Sequence, residues 1–203
     1  MSAPLPPRVR VAAFAAIGLS ALVGLGAAGS MAEVLDLEQL MDAGPPKTLP
    51  FGDNEYTREA LQAQYQAEVG ALESMRTSRA VIEILLSTCA AMALVSAVRL
   101  LRPAGVPREG VRKMLGSTAL ACAVLRTLDG AQSTAVARKV GAAVDKALAQ
   151  SNPPGGYLDG MATTGAVTMS LFFTAFFVGC FLVLSAYFGS AGVRALTARE
   201  AGE

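Results

Sequence analysis

Residues 160–188 read GMATTGAVTMSLFFTAFFVGCFLVLSAYF, without one charged side chain. A helix needs about 20 predominantly apolar residues to cross the roughly 30 Å hydrocarbon core of a bilayer. This stretch exceeds that length. It is apolar on every face, and a chain of 203 residues has little else with which to cover such a helix in water. Residues 160–188 therefore predict a membrane-spanning helix.

Two further stretches repeat the pattern. Residues 80–101 are apolar apart from Glu83 near the start and Arg99 near the end. Residues 11–31 carry no charge and follow the basic flank Pro6-Pro7-Arg8-Val9-Arg10. A signal peptide has a similar basic flank, and Ala28-Gly29-Ser30 could serve as its cleavage site. The apolar run is longer than the 7–15 residues of a signal-peptide core, so an uncleaved anchor is expected.

A fourth stretch, residues 111–129, is weaker. Met114 to Leu125 is apolar or small, but Arg126 and Asp129 then cut it short. A charge at the centre of a span costs about 2.5–3.5 kcal/mol, and much less near an interface. The expectation is a true span with Arg126 close to the far interface. The rival reading is an amphipathic helix lying on the membrane, with three spans in all.

Short-loop Lys and Arg set the orientation. Arg8 and Arg10 precede the first span, Arg99, Arg102, Arg108, Arg112 and Lys113 surround the connection at residues 102–110, and Arg194 and Arg199 follow the last. The segment 32–79 is acidic on balance. The fold expected is an all-α integral membrane protein. It is a polytopic bundle of four transmembrane helices in one membrane domain, N-terminus in the cytoplasm, multi-pass in a cell membrane (an inner membrane if Gram-negative). Abundant Ala and Gly with no Trp hint, by composition alone, at a bacterium. Arg138, Lys139 and Lys146 sit on the external side of this scheme and favour the three-span rival.

The outer segments are patterned. Met31, Val34, Leu35, Glu38 and Met41 prolong the first helix until Gly44-Pro45-Pro46 stops it, and residues 48–53 read as a turn. Asp53 or Asn54 can cap a new helix. In that helix Leu61, Tyr65, Val69, Leu72 and Met75 recur every three or four residues, a one-sided apolar stripe. Residues 32–79 are thus expected to form an extracytoplasmic helical hairpin. Its stripe is a candidate face for a protein partner or a second copy, unless the hairpin's other helix covers it. In the second outer segment, 130–159, Ala135, Val136, Val140, Ala143, Val144 and Leu148 keep helical spacing, with Arg138, Lys139, Asp145 and Lys146 on the polar side, until Ser151-Asn152-Pro153-Pro154-Gly155-Gly156 ends it.

Two constellations bear on function. Ala12, Ala16, Ser20, Gly24 and Ala28 fall every fourth residue, the small-residue pattern that lets membrane helices approach closely. Glu83, Arg126 and Asp129 are ionisable residues within or beside spans. Antiparallel neighbours would bring Glu83 and Arg126 to similar depth, as an ion pair or as part of a polar pathway.

Other chemistry lacks its residue types. The chain has no histidine, the commonest metal ligand and general base. Cys89, Cys122 and Cys180 lie in apolar segments, where thiols do not ionise readily. Gly18, Gly24 and Gly26 sit inside a span, with no strand before them and no Lys-Ser/Thr after. Charged residues make up 16% against about 25% in average domains, with a net charge of +1, which gives no footprint for nucleic acid. Neither an enzyme nor a cofactor or metal is expected, and membrane lipid is the one certain partner class of such a chain. The first functional expectation is a non-enzymatic interaction or assembly protein. The alternative is a small transporter or channel subunit using Glu83, Arg126 and Asp129.

Overall fold

The computed structural model describes residues 5–37, 41–42, 44, 55–102, 108–151 and 160–198. Among them the secondary structure is helical, without strands. The elements are α1 (Pro7–Leu35), α2 (Glu55–Leu101), α3 (Arg108–Ser151), α4 (Met161–Gly189) and the short α5 (Ala191–Ala198). Gly44 is described and has φ 69, whereas Pro45, Pro46, the turn at 48–53, the Asp53 or Asn54 cap and the connection after Ser151 lie outside the described residues.

The helix ends follow local rules. Pro7 opens α1 at the first helical position, where a missing N–H costs nothing, and the Pro6 carbonyl accepts from Val9 N at 3.0 Å. α2 stops at Leu101, shortly before Pro103. Glu109 lies in the first turn of α3, where a carboxylate suits the helix dipole. The Ser190 hydroxyl accepts from Val193 N at 3.4 Å and starts α5.

Three helices are long and apolar enough to cross a membrane: α1, α2 over Arg58–Leu101, and α4. That make-up is compatible with a multi-pass membrane protein. α3 is long, with 44 residues, but falls short on average apolarity. With 47 residues, α2 would measure about 70 Å, more than twice a hydrocarbon core.

The chain divides into two compact units. The first comprises Met1–Ser30, Ile82–Thr127 and Ala175–Glu203. Its core has two layers. In one, Val9 and Ala13 of α1 meet Ala97 and Leu100 of α2, Leu115 of α3, Phe188 of α4 and Val193 of α5. In the other, Val23 and Ala27 meet Leu86 and Ala90, Ala119 and Cys122, and Phe181. The buried positions keep a seven-residue repeat. Val9, Ala16 and Val23 alternate with Ala13, Ser20 and Ala27 on α1, and Leu86, Ala93 and Leu100 alternate with Glu83, Ala90 and Ala97 on α2. This is coiled-coil packing, with alanines bringing the backbones close. A Cβ placed on Gly24 would lie 3.4 Å from that of Ala90.

The second unit comprises Met31–Val81 and Leu128–Thr174. Here α3 and α4 meet through small and polar groups rather than apolar ones. Thr174 lies against the backbone of Gly130, Thr163 against Gly141, and the hydroxyls of Thr134 and Ser170 bond at 3.0 Å. Gln132 Nε2 donates to Ser78 Oγ at 3.1 Å and ties α3 to α2.

Asp145 departs from its expected place on a solvated face. It is buried, and its carboxylate accepts from Ala162 N at 2.9 Å, Thr163 N at 3.0 Å and Thr163 Oγ1 at 2.5 Å. The free N–H groups that open α4 thus find their acceptor on α3, which is why the polar residue turns inward.

Candidate functional site

The small residues of α1 are not equally buried within the chain. Ala16 and Ser20 are buried, Ala12 and Gly24 half-buried, and Ala28 exposed. Every fourth residue advances the direction by roughly 40°, so Ala28 points about 160° away from Ala12. The seven-residue repeat drifts far less and is the register that packs.

Glu83 occupies a core position of the α2 repeat and is 1% exposed. Leu86 of α2 and Cys122 of α3 share one core layer, and Glu83 and Arg126 each lie about one turn from it along their own helices. Arg126 is half-buried, with its guanidinium carbon 5.4 Å from the centre of the Phe177 ring, within cation–π range. Asp129 is buried in the second unit. Glu83, Arg126 and Asp129 each take part in polar or electrostatic contacts.

Leu61, Tyr65, Val69 and Leu72 of the α2 stripe line a cleft in the second unit. Leu72 is buried, whereas Leu61, Tyr65, Val69 and Met75 are half-buried. The cleft has a volume of about 310 Å³, with Leu61, Gln64, Tyr65, Glu68, Val69 and Leu72 on one wall and Glu33 and Leu37 of the α1 extension opposite. A second lobe of about 230 Å³ shares Glu33, Gln64, Glu68 and Leu72 and reaches Arg79 of α2 and Ser133, Val136, Ala137 and Val140 of α3.

The electrostatics of this cleft centre on Glu68, outside the apolar segment 80–101. Its carboxyl is pushed above the usual carboxylate range, first by partial withdrawal from water and then by the nearby Glu33, with Arg79 pulling the other way. In the sequence Glu33 and Glu68 are two of the many acidic residues of the segment 32–79. Only the folding of the α1 extension against α2 brings them into one cleft.

A polar cluster missed by sequence reasoning closes the first unit at its basic end. Arg112 is 3% exposed and grips Glu109 with two bonds, Nε to Oε2 at 2.9 Å and Nη2 to Oε1 at 2.8 Å. Its Nη1 donates to the Phe188 carbonyl at the C-terminal end of α4. The Thr197 hydroxyl of α5 donates to Glu109 Oε2 at 2.9 Å. Bonds from Arg112 and then Thr197 hold the Glu109 carboxyl down at about 2. A buried cation on the last carbonyls of a helix complements its dipole, so the cluster joins α3, α4 and α5. The spacing Glu109-x-x-Arg112 was the one local signal for it.

Among the described residues no three His, Cys, Asp or Glu side chains converge as metal ligands. Cys89, Cys122 and Cys180 are free thiols. The chain matches no family model, no curated protein and no solved structure.

Proposed function

We propose that this chain is a four-span membrane protein with both ends in the cytoplasm, and that it acts without chemistry of its own, as an interaction or assembly module. Four spans are supported by the way α3 distributes its side chains. Between residues 114 and 129 the exposed ones are Met114, Ser117, Leu120, Val124, Thr127 and Leu128, while Thr118, Cys122 and Asp129 are among the buried ones and Arg126 is half-buried. The low average apolarity of α3 therefore comes from residues that do not face outward, and its outer face suits lipid. Orientation is supported by the exposed charges described in the first unit, which are Arg8, Arg10, Arg99, Arg102, Lys113 and Arg194, all basic. They flank helix ends that meet in a single core layer.

The observation that carries the functional reading is the cleft. An apolar stripe left half-buried around an open space is a surface prepared for contact. The test is photo-crosslinking in intact cells from residues 61 and 65, with residues 62 and 66 on the exposed side of the same helix as controls. A discrete crosslinked species, or a second copy of the chain, is expected from 61 and 65 alone. Absence of any crosslink, or equal yields from all four positions, would refute the proposal.

Glu83 favours a second reading, a transporter, because a buried carboxylate in a spanning segment is a common working part of one. The packing argues against it. Between Glu83 and the basic end lie two closed layers in which Leu86, Leu100, Leu115, Phe181 and Phe188 are wholly buried. Glu83 with Arg126 is better explained as a polar core layer that fixes helix register, as single polar residues do in coiled coils. Wild-type ion flux from Glu83→Gln in vesicles would agree, whereas lost flux in a folded variant would restore the transporter.

A further inference from the structure

The walls of the cleft combine apolar side chains with an unequal charge balance. Among the described residues of the walls, Glu33 and Glu68 bring two carboxylates, and Arg79 brings one guanidinium. We propose that this cleft binds a small organic monocation, an ammonium or guanidinium group carried on an apolar body. The inference rests on the reading of the cleft as the working surface of the module, but it does not require a protein partner.

Size limits the occupant. A volume of about 310 Å³ stands at the lower end of the roughly 300–1,000 Å³ of small-molecule sites. A helix with its side chains is about 10 Å across and would not enter. Leu37, Leu61, Tyr65 and Val69 offer the apolar contact that carries most of the affinity at such sites, and a few polar groups orient the ligand.

Charge selects its sign. Arg79 can offset one carboxylate, which leaves one negative charge beside an apolar wall. The upward push on Glu68, from partial withdrawal from water and from Glu33, marks a carboxylate that would be better served by an added cation. An anionic ligand would meet both Glu33 and Glu68. A neutral one would leave the imbalance as it is.

The probe is 2-phenylethylamine, titrated onto the full-length protein in nanodiscs of zwitterionic lipid, with empty nanodiscs subtracted. 3-Phenylpropionate and 2-phenylethanol carry the same ring with negative and zero charge. Saturable binding is expected for the amine, at least tenfold tighter than for either analogue. Glu68→Gln should weaken it about tenfold, and Glu33→Gln less. Both changes are nearly isosteric at exposed positions, and an unchanged helical spectrum would show that each variant folds. Equal binding of amine and alcohol, or wild-type binding by the Glu33→Gln, Glu68→Gln double variant, would overturn the inference. Crosslinking from residues 61 and 65 separates the two ideas. Retained crosslinks without amine binding would remove the monocation and leave the interaction module standing, and loss of both would remove both.

Discussion

Asp145 carries more of the fold than its surroundings in the chain suggest. Three donors from the start of α4 converge on one carboxylate. Replacing an N-terminal cap by Ala costs roughly 0.5–2 kcal/mol, and leaving buried donors unpaired adds to this. Asp145→Ala should therefore lower stability by about 1–3 kcal/mol and speed amide exchange at Ala162 and Thr163, while Asp145→Asn keeps part of the effect. Unchanged exchange at those amides would show that the cap contributes nothing. Glu68 obeys the opposite sign. Its folded value is raised above the ordinary 4.5, so folding favours its protonated form. Below 4.5 the group costs nothing, because it is protonated in both the folded and the unfolded chain. As pH rises past that value the unfolded chain ionises first, and the stability of the folded chain falls until Glu68 itself ionises. Glu68→Gln cannot ionise, so its melting temperature should exceed wild type at neutral pH and converge with it in acid. A constant difference across pH would contradict the assignment.

At the scale of elements, α3 and α4 meet through paired contacts eleven residues apart on each helix, Gly130 with Thr174 and Gly141 with Thr163. Eleven residues are close to three full turns, so both contacts fall on one line. A methyl group at Gly141 would collide with Thr163 backbone, and overpacking of this kind costs about 1–3 kcal/mol. Gly141→Ala should destabilise by that amount. Gly165→Ala, where nothing lies within 4 Å, should be neutral or stabilising by up to about 1 kcal/mol. Thermal unfolding of both variants checks the pair, and equal effects would show that α3 and α4 are not in close contact there. The sequence made the helices themselves legible, because length and apolarity are properties of one segment. Three of the four expected spans are recovered from these properties in α1, α2 and α4. Contacts belong to two segments and were less legible. The cap of α4 is a carboxylate from another helix, a pairing that the residues around Met161 cannot announce by themselves. On α1, a chain rich in alanine offers an every-fourth pattern and a seven-residue pattern together, and only burial tells them apart. The stripe from Leu61 to Leu72 was visible as a stripe, but the two carboxylates of its cleft were not.

For the whole molecule, the number of crossings turns on α3. If α3 lay on the membrane surface, its charged residues would turn outward to water. Instead Met114, Leu120, Val124 and Leu128 are exposed, while Asp129 is buried and Arg126 half-buried. Facing lipid, each charge would cost about 2.5–3.5 kcal/mol at mid-bilayer, and turning inward removes most of that penalty. From Met114 to Ala137 no charged side chain of α3 is exposed, a run of about 36 Å and long enough to cross. Four crossings also leave the exposed basic residues of the first unit on the cytoplasmic side. Single cysteines introduced by Arg10→Cys, Gln62→Cys, Gln150→Cys and Arg194→Cys, in a chain lacking its native thiols, test this directly with a membrane-impermeant maleimide. Residues 62 and 150 should label in intact cells, and residues 10 and 194 only after permeabilisation. Labelling at 194 but not at 150 would mean three crossings. The segment from Arg108 to Lys146 would then be cytoplasmic, and Glu83 and Arg126 could share a layer only if α3 returned into the bilayer without crossing it.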